Sequence, residues 1–158
     1  MLENYVAIAQ AIKDQAPGIL WFDLDKGQVE NPENFNSLIV PAVLIGTSEV
    51  DWKNLRGLSQ EGDGKITVKL VLRLSHQTHL TDPLLLANLK DIELANEINL
   101  AVSQVPGVVG RRHSNDYPAG MFYVVEQIYD CSFKFGPNLK AVPVTAKINP
   151  FLHNPSVA

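Results

Sequence analysis

The stretch Lys65–Leu74, KITVKLVLRL, constrains this chain more than any other. Read as an extended strand, it puts Ile66, Val68, Leu70, Leu72 and Leu74 on one side and Lys65, Thr67, Lys69, Val71 and Arg73 on the other. The first side demands a core, so the segment predicts a sheet covered on one face. The second side sets three cations, Lys65, Lys69 and Arg73, in a row. Two readings of that row stay open. It is a solvated sheet face, on which alternating Lys, Thr and Arg are usual, or a surface that meets an acidic partner or a passing polyanion in an assembly. Gly62-Asp63-Gly64, just upstream, reads as a turn that pairs this strand with the preceding segment as a hairpin.

Other segments supply the rest of the architecture. Leu2, Tyr5, Val6, Ala9, Ile12 and Ala16 recur at helical spacing, and Pro17-Gly18 stops that helix. Ile19–Leu24 reads as a short strand, and residues 28–37, QVENPENFNS, as a polar loop. Leu38–Gly46, LIVPAVLIG, is continuously apolar and predicts a strand buried on both faces, followed by a loop through Trp52. Thr81 or Asp82 can cap a helix with Pro83 in its first turn. Leu85, Leu89, Ile92, Ala95, Ile98, Val102 and Val105 extend that helix from Asp82 to Gln104 as one apolar stripe. The segment Val108–Gly120, VVGRRHSNDYPAG, is polar at its centre and predicts an exposed loop. Met121–Phe135 is aromatic and branched; at about 3.3 Å per residue it spans on the order of 50 Å, longer than an ordinary strand, so it bends, bulges or projects. Residues 1–136 are expected to form a single domain. Residues 137–158, with four prolines and no helical period, are expected to form an extended arm.

Composition narrows the function classes. The 158 residues are 46% apolar and 19% charged, as in folded proteins, and 13 Lys/Arg against 17 Asp/Glu give a net charge of −4, which argues against general affinity for nucleic acid. The sign is uneven: residues 1–64 carry four Lys/Arg against ten Asp/Glu, whereas 108–158 carry five against three. Such polarity suits head-to-tail contact between copies, and a mixed solvated surface produces it as well. One cysteine, Cys131, excludes an intrachain disulfide, points to a reducing compartment and lies in an apolar run that predicts a buried, inert thiol. The start of the chain lacks the cations of a signal peptide, and no apolar run is long enough to cross a bilayer; both point to the cytoplasm and to no membrane partner.

No catalytic, metal or cofactor signature emerges. His76 and His79 stand three apart in a turn without a third ligand, and His113 and His153 fall elsewhere. The cluster Arg111, Arg112, His113, Ser114, Asn115 and Asp116 could grip an oxyanion, but it lacks the glycine pattern of a nucleotide loop; an ordinary solvated loop is the alternative. Asp23 with Asp25, and Glu126 with Asp130, could be paired carboxylates, yet spacing assigns them no acid or base partner. A small cytoplasmic enzyme or ligand-binding domain would use the 110–116 loop with His76 or His79. A third option is an adaptor that adds a strand to a foreign sheet through Met121–Phe135.

Taken together, the order is an amphipathic helix, a short strand, the buried run PAVLIG, the strand GKITVKLVLRL, a long helix, and the strand FYVVEQIYDCSFKF with a trailing arm. This order resembles the small tail-terminator and tail-completion proteins of long-tailed phages and phage-like particles, over residues 1–135. The resemblance implies an α+β fold whose mostly antiparallel sheet is packed on one face by two helices. It implies a homo-oligomer, commonly a hexameric ring, that caps the tail tube and joins it to the neck proteins. It implies a virion protein assembled in the host cytoplasm, without catalytic residues or cofactors, with DNA passing through the lumen unread. On sequence chemistry, Lys65, Lys69, Arg73, Arg111 and Arg112 are candidates for lumen or partner contact, and Phe151 and Leu152 in the C-terminal arm for contact with the next subunit.

Overall fold

A computed structural model describes residues 2–34, 38–74 and 79–136. The apolar alternation of the third strand organises it: Ile66, Val68, Leu70 and Leu72 are each 1% exposed. Helix α1 (Leu2–Gln15) is followed by β1 (Trp21–Leu24), β2 (Ala42–Asn54) and β3 (Gln60–Leu72). Then come α2 (Leu85–Leu89), a 3₁₀ turn (Lys90–Glu93), α3 (Leu94–Ser103), β4 (Val108–Ala119) and β5 (Phe122–Phe135). The five strands form one sheet in the order β1-β2-β3-β5-β4. Only β1 and β2 run parallel; every other pair is antiparallel. The fold is α+β with a mostly antiparallel sheet, as expected.

The core lies between one sheet face and the helices. Ile8 and Ile12 of α1 and Ile98, Ala101 and Val102 of α3 meet Val43, Ile45, Ile66, Val68, Leu70, Leu72, Val125 and Tyr129. Burying this apolar surface is the main term favouring the fold. A polar network inside it fixes α3 against β5: Gln127 Nε2 donates to the Ala95 carbonyl at 2.8 Å, and Tyr129 Oη donates to Gln127 Oε1 at 2.6 Å. These groups are buried, so leaving one unpartnered would cost more than the bond contributes.

Several expectations are corrected. Thr47–Asn54, read as a loop, continue β2; the true hairpin turn is further on, where the Leu55 amide donates to the Ser59 carbonyl at 2.7 Å and Gly57 and Leu58 adopt φ of 71° and 65°. Gly62, Asp63 and Gly64 therefore lie inside β3. Glycine is required there by crowding, since an added Cβ at Gly62 would stand 2.7 Å from Val50 Cγ1 and 2.8 Å from Trp52, and one at Gly64 2.8 Å from Val50 Cγ2. Trp52 and Phe133 close over this trough with ring centroids 6.4 Å apart.

The expected single helix from Asp82 to Gln104 is broken by the 3₁₀ turn. Its first half, Leu85–Leu89, buries none of its residues, and the apolar stripe meets the core only from Ile92 onward. The expected cap is displaced as well: α2 starts at Leu85, its N-cap position Leu84 makes no side-chain capping bond, and Asp82, which accepts the Leu84 amide at 2.7 Å, and Pro83 precede the helix. Val108–Ala119, expected as a loop, is strand β4 at the margin of the sheet, paired with β5 from Cys131 to Phe122. Its polarity marks a strand with little covering it, because most of its residues are exposed. The overlong β5 is accommodated by pairing with β3 along almost its whole length.

The helix-free face is not wholly solvated either. Val29, Leu38 and Val40, from the segment linking β1 to β2, lie on Ala42, Leu44, Val71 and Val124 in a second apolar cluster. That cluster explains Val71, which interrupts the cationic row and is 0% exposed. The expected C-terminal arm, 137–158, lies outside the described residues.

Gly62→Ala should lower stability by about 1–3 kcal/mol, through overpacking against Val50 and Trp52. It should also shift the Trp52 fluorescence. Gly110→Ala, where nothing stands within 4 Å of the new Cβ, should leave the denaturation midpoint and the spectrum nearly unchanged.

Candidate interaction face

The cationic row of β3 lies on the helix-free face, with Lys65, Lys69 and Arg73 each about 13 Å from the next along the strand. The three cations have different surroundings. Lys65 is exposed and registers opposite Asp130. Lys69 is buried: its Nζ lies 2.8 Å from Asp25 Oδ2 and 2.6 Å from Glu30 Oε1. Arg73 is exposed, with Cζ 6.0 Å from the Phe122 ring centroid and Nη2 3.1 Å from Met121 Sδ. The middle cation is thus neutralised within the chain, and the row presents two outward charges.

Lys69 acts as a clamp for the segment that crosses this face. Burial opposes its charge, but hydrogen bonds to Asp25 and Glu30 outweigh that and hold the ammonium well above the ordinary lysine range. Gln28, also buried, completes the clamp: its Nε2 donates to the Leu24 carbonyl at 2.8 Å and to Asp23 Oδ2 at 3.2 Å, and its Oε1 accepts the Lys26 amide at 2.7 Å. Asp23 also pairs with Lys26 at 2.9 Å. The acidic pair Asp23 and Asp25 therefore anchors this segment and is not set up as two facing carboxylates.

Arg111 and Arg112 sit on β4, where the ladder shifts register between Arg111 and His113. Arg112 folds onto the neighbouring strand, its Nε donating to Asp130 Oδ1 at 2.8 Å and Oδ2 at 3.0 Å. Arg111 pairs by register with Tyr129 and stands exposed, as does His113. The polar cluster at 110–116 is a drawn-out strand and not a closed loop, so its side chains do not converge on one point. His79 Nδ1 contacts Thr81 Oγ1 at 2.9 Å. His76, His153, Phe151 and Leu152 lie outside the described residues. Among the described residues no group of three His, Cys, Asp or Glu is placed to hold a metal ion.

Cys131 is buried against the helices, and burial pushes its thiol up to about 11. No described helix is long and apolar enough to cross a membrane.

Sequence reading missed one feature of this surface. Asp51–Leu58 are all exposed, and Trp52, Leu55, Leu58 and Phe135 gather exposed apolar area at the end of the β2–β3 hairpin. The signal was available in WKNLRGL, whose apolar residues do not fit the alternation of a one-sided strand.

No family model matches the chain, and no curated protein matches it in sequence. Among solved structures it is similar to a chain of the virion of a native gene transfer agent particle, with a TM-score of 0.40 and 11% identity, over 83% of this chain and 94% of that one. A superposition this loose assigns neither fold nor role.

Lys69→Met should destabilise the fold by about 3 kcal/mol, because it leaves Asp25 and Glu30 without their buried counter-charge. Lys65→Met should cost under about 0.5 kcal/mol in the same denaturant titration. Because the folded state raises the Lys69 pKa, its stabilising contribution is whole below the free-lysine value of about 10.4 and fades only as pH rises through the folded value. A urea midpoint followed from pH 6 upward should show no loss from this source until strongly alkaline solution. At pH 8, Cys131 should react with a disulfide reagent at least about a hundredfold more slowly in the native chain than in urea.

Proposed function

We propose that this chain is a structural assembly protein: one subunit of a homomeric ring that caps a phage-like tail tube and joins it to the neck. The observation that carries this reading is the exposed end of the β2–β3 hairpin, where Trp52, Leu55, Leu58 and Phe135 are 43%, 51%, 85% and 65% exposed. Large apolar side chains grouped at a projecting tip favour burial in a partner. Leu58 adds to the case, because a non-glycine residue at φ 65° is strained, and strain of this kind concentrates at functional positions.

In this reading the partners are further copies of the chain, the tail tube and the neck proteins, and the location is the virion, after assembly in the host cytoplasm. Lys65 and Arg73 are the outward charges available to a lumen through which DNA passes without being read. Residues 137–158, with Phe151 and Leu152, would reach the adjacent copy. The element order that resembles the tail-terminator proteins supports the same assignment.

Light scattering and negative-stain imaging of the purified chain, alone and with tube protein, test this reading; closed rings are the expected result. Leu58→Gly should relieve the left-handed strain and raise monomer stability by about 1 kcal/mol, yet weaken assembly at least about fivefold. Removing residues 137–158 should weaken assembly and leave the circular dichroism of the remainder unchanged. A chain that stays monomeric in every mixture would overturn the assignment.

A further inference from the structure

The two margins of the sheet are complementary. β2 has a strand on its outer side only along Ala42–Ile45, where β1 pairs; among the described residues Gly46–Asn54 have none. β4 forms the opposite margin, and its outer side likewise carries no described strand. Unpaired strand edges are templates for another strand.

Both margins break their ladder at the same level. β2 shifts register between Thr47 and Val50, and β4 between Arg111 and His113. Thr47 registers with Ile66, Ile66 with Tyr129, and Tyr129 with Arg111, so the two irregularities lie on one row across the sheet. Gly110 sits on the adjoining row, opposite Asp130 and Lys65, and Ser48 Oγ donates to the Lys65 carbonyl at 3.3 Å.

The charges at that level are opposite in sign. Glu49, in the irregularity between Thr47 and Val50, is exposed and has no ion-pair partner among the described residues. On the other margin stand the exposed Arg111 and Arg112, the latter shared with Asp130.

Direction completes the match. β2, β3, β5 and β4 are each antiparallel to the next, so β2 and β4 run in opposite senses. A second copy set beside the first in the same orientation therefore lays its β4 antiparallel against β2, without being turned over. Such a contact uses two different surfaces and propagates head to tail, which closes into a ring when the rotation allows.

We propose that copies of this chain join margin to margin, the open edge of β2 at Gly46–Asn54 receiving β4 of the next copy, with Glu49 facing Arg111. This rests on the assembly reading above and names the surfaces that carry it. Full-length variants E49K and R111E, checked for native circular dichroism, are compared with the unaltered chain by sedimentation across concentration and salt.

Each variant should weaken self-association by about tenfold or more, and the chain carrying both changes, which restores an opposite pair, should recover most of that loss. Association of the unaltered chain should weaken as salt rises. In a C131S background, an S48C chain mixed with a G110C chain should form a mixed disulfide under oxidation, while either chain alone should form little. Rings that survive both charge reversals, or disulfides that form equally well between like chains, would overturn the margin contact and leave the assembly reading standing. An unaltered chain that stays monomeric at the highest concentration reached, with tube protein as well as alone, would overturn both.

Discussion

A mismatch of lengths governs this molecule. Strands of 12 to 14 residues rise about 3.3 Å per residue, whereas a helix rises about 1.5 Å. Helix α3, with ten residues, reaches only about a third of the way along β3. The helices can therefore roof only part of the sheet, and each remaining stretch needs a different cover. On the far face the linker held by Lys69 provides it. Towards the hairpin, Val50, Trp52 and Phe133 fold into the space left by two glycines. At the tip and along the two margins nothing in the described chain provides it, and the assembly reading begins there.

Much of the core was legible in the sequence because burial imposes a period. Ile66, Val68, Leu70 and Leu72 alternate as a one-sided strand must, and Ile12, Ile98 and Val102 lie on the inner sides of their helices, whereas in α1 Ile8, absent from the expected stripe, is buried and Val6, expected in it, is exposed. The errors came where a residue type has two physical uses. Glycines at 62 and 64 serve turns through their free φ, but here they serve packing through their missing Cβ. Polar residues at 110–116 suit a loop, yet an exposed edge strand asks for the same composition. The stripe from Leu85 to Val105 kept helical spacing across a break, because spacing records local geometry and cannot report whether a core lies underneath.

The candidate surface was legible in kind but not in wiring. Lys65, Lys69 and Arg73 fall on one face as alternation requires, but the partners that neutralise Lys69 come from residues 25 and 30, a contact no local pattern announces. Asp130 was visible as a possible catalytic carboxylate; its bidentate hold on Arg112 became apparent only when β4 was laid beside β5. Pairing of this sort between distant segments is where a single sequence says least, and it decides which charges remain for another molecule.

The lysine that pins Asp25 and Glu30 also imposes a chronology. Glu30 and Lys69 are 39 positions apart, so a nascent chain has its first thirty residues made before the side chain that fastens them is synthesised. Val29 must wait longer still, since Val124 belongs to the floor on which it rests. The amino-terminal half thus reaches its final shape late, under instruction from the half that follows it. Contacts of such long sequence separation slow the search for the native state.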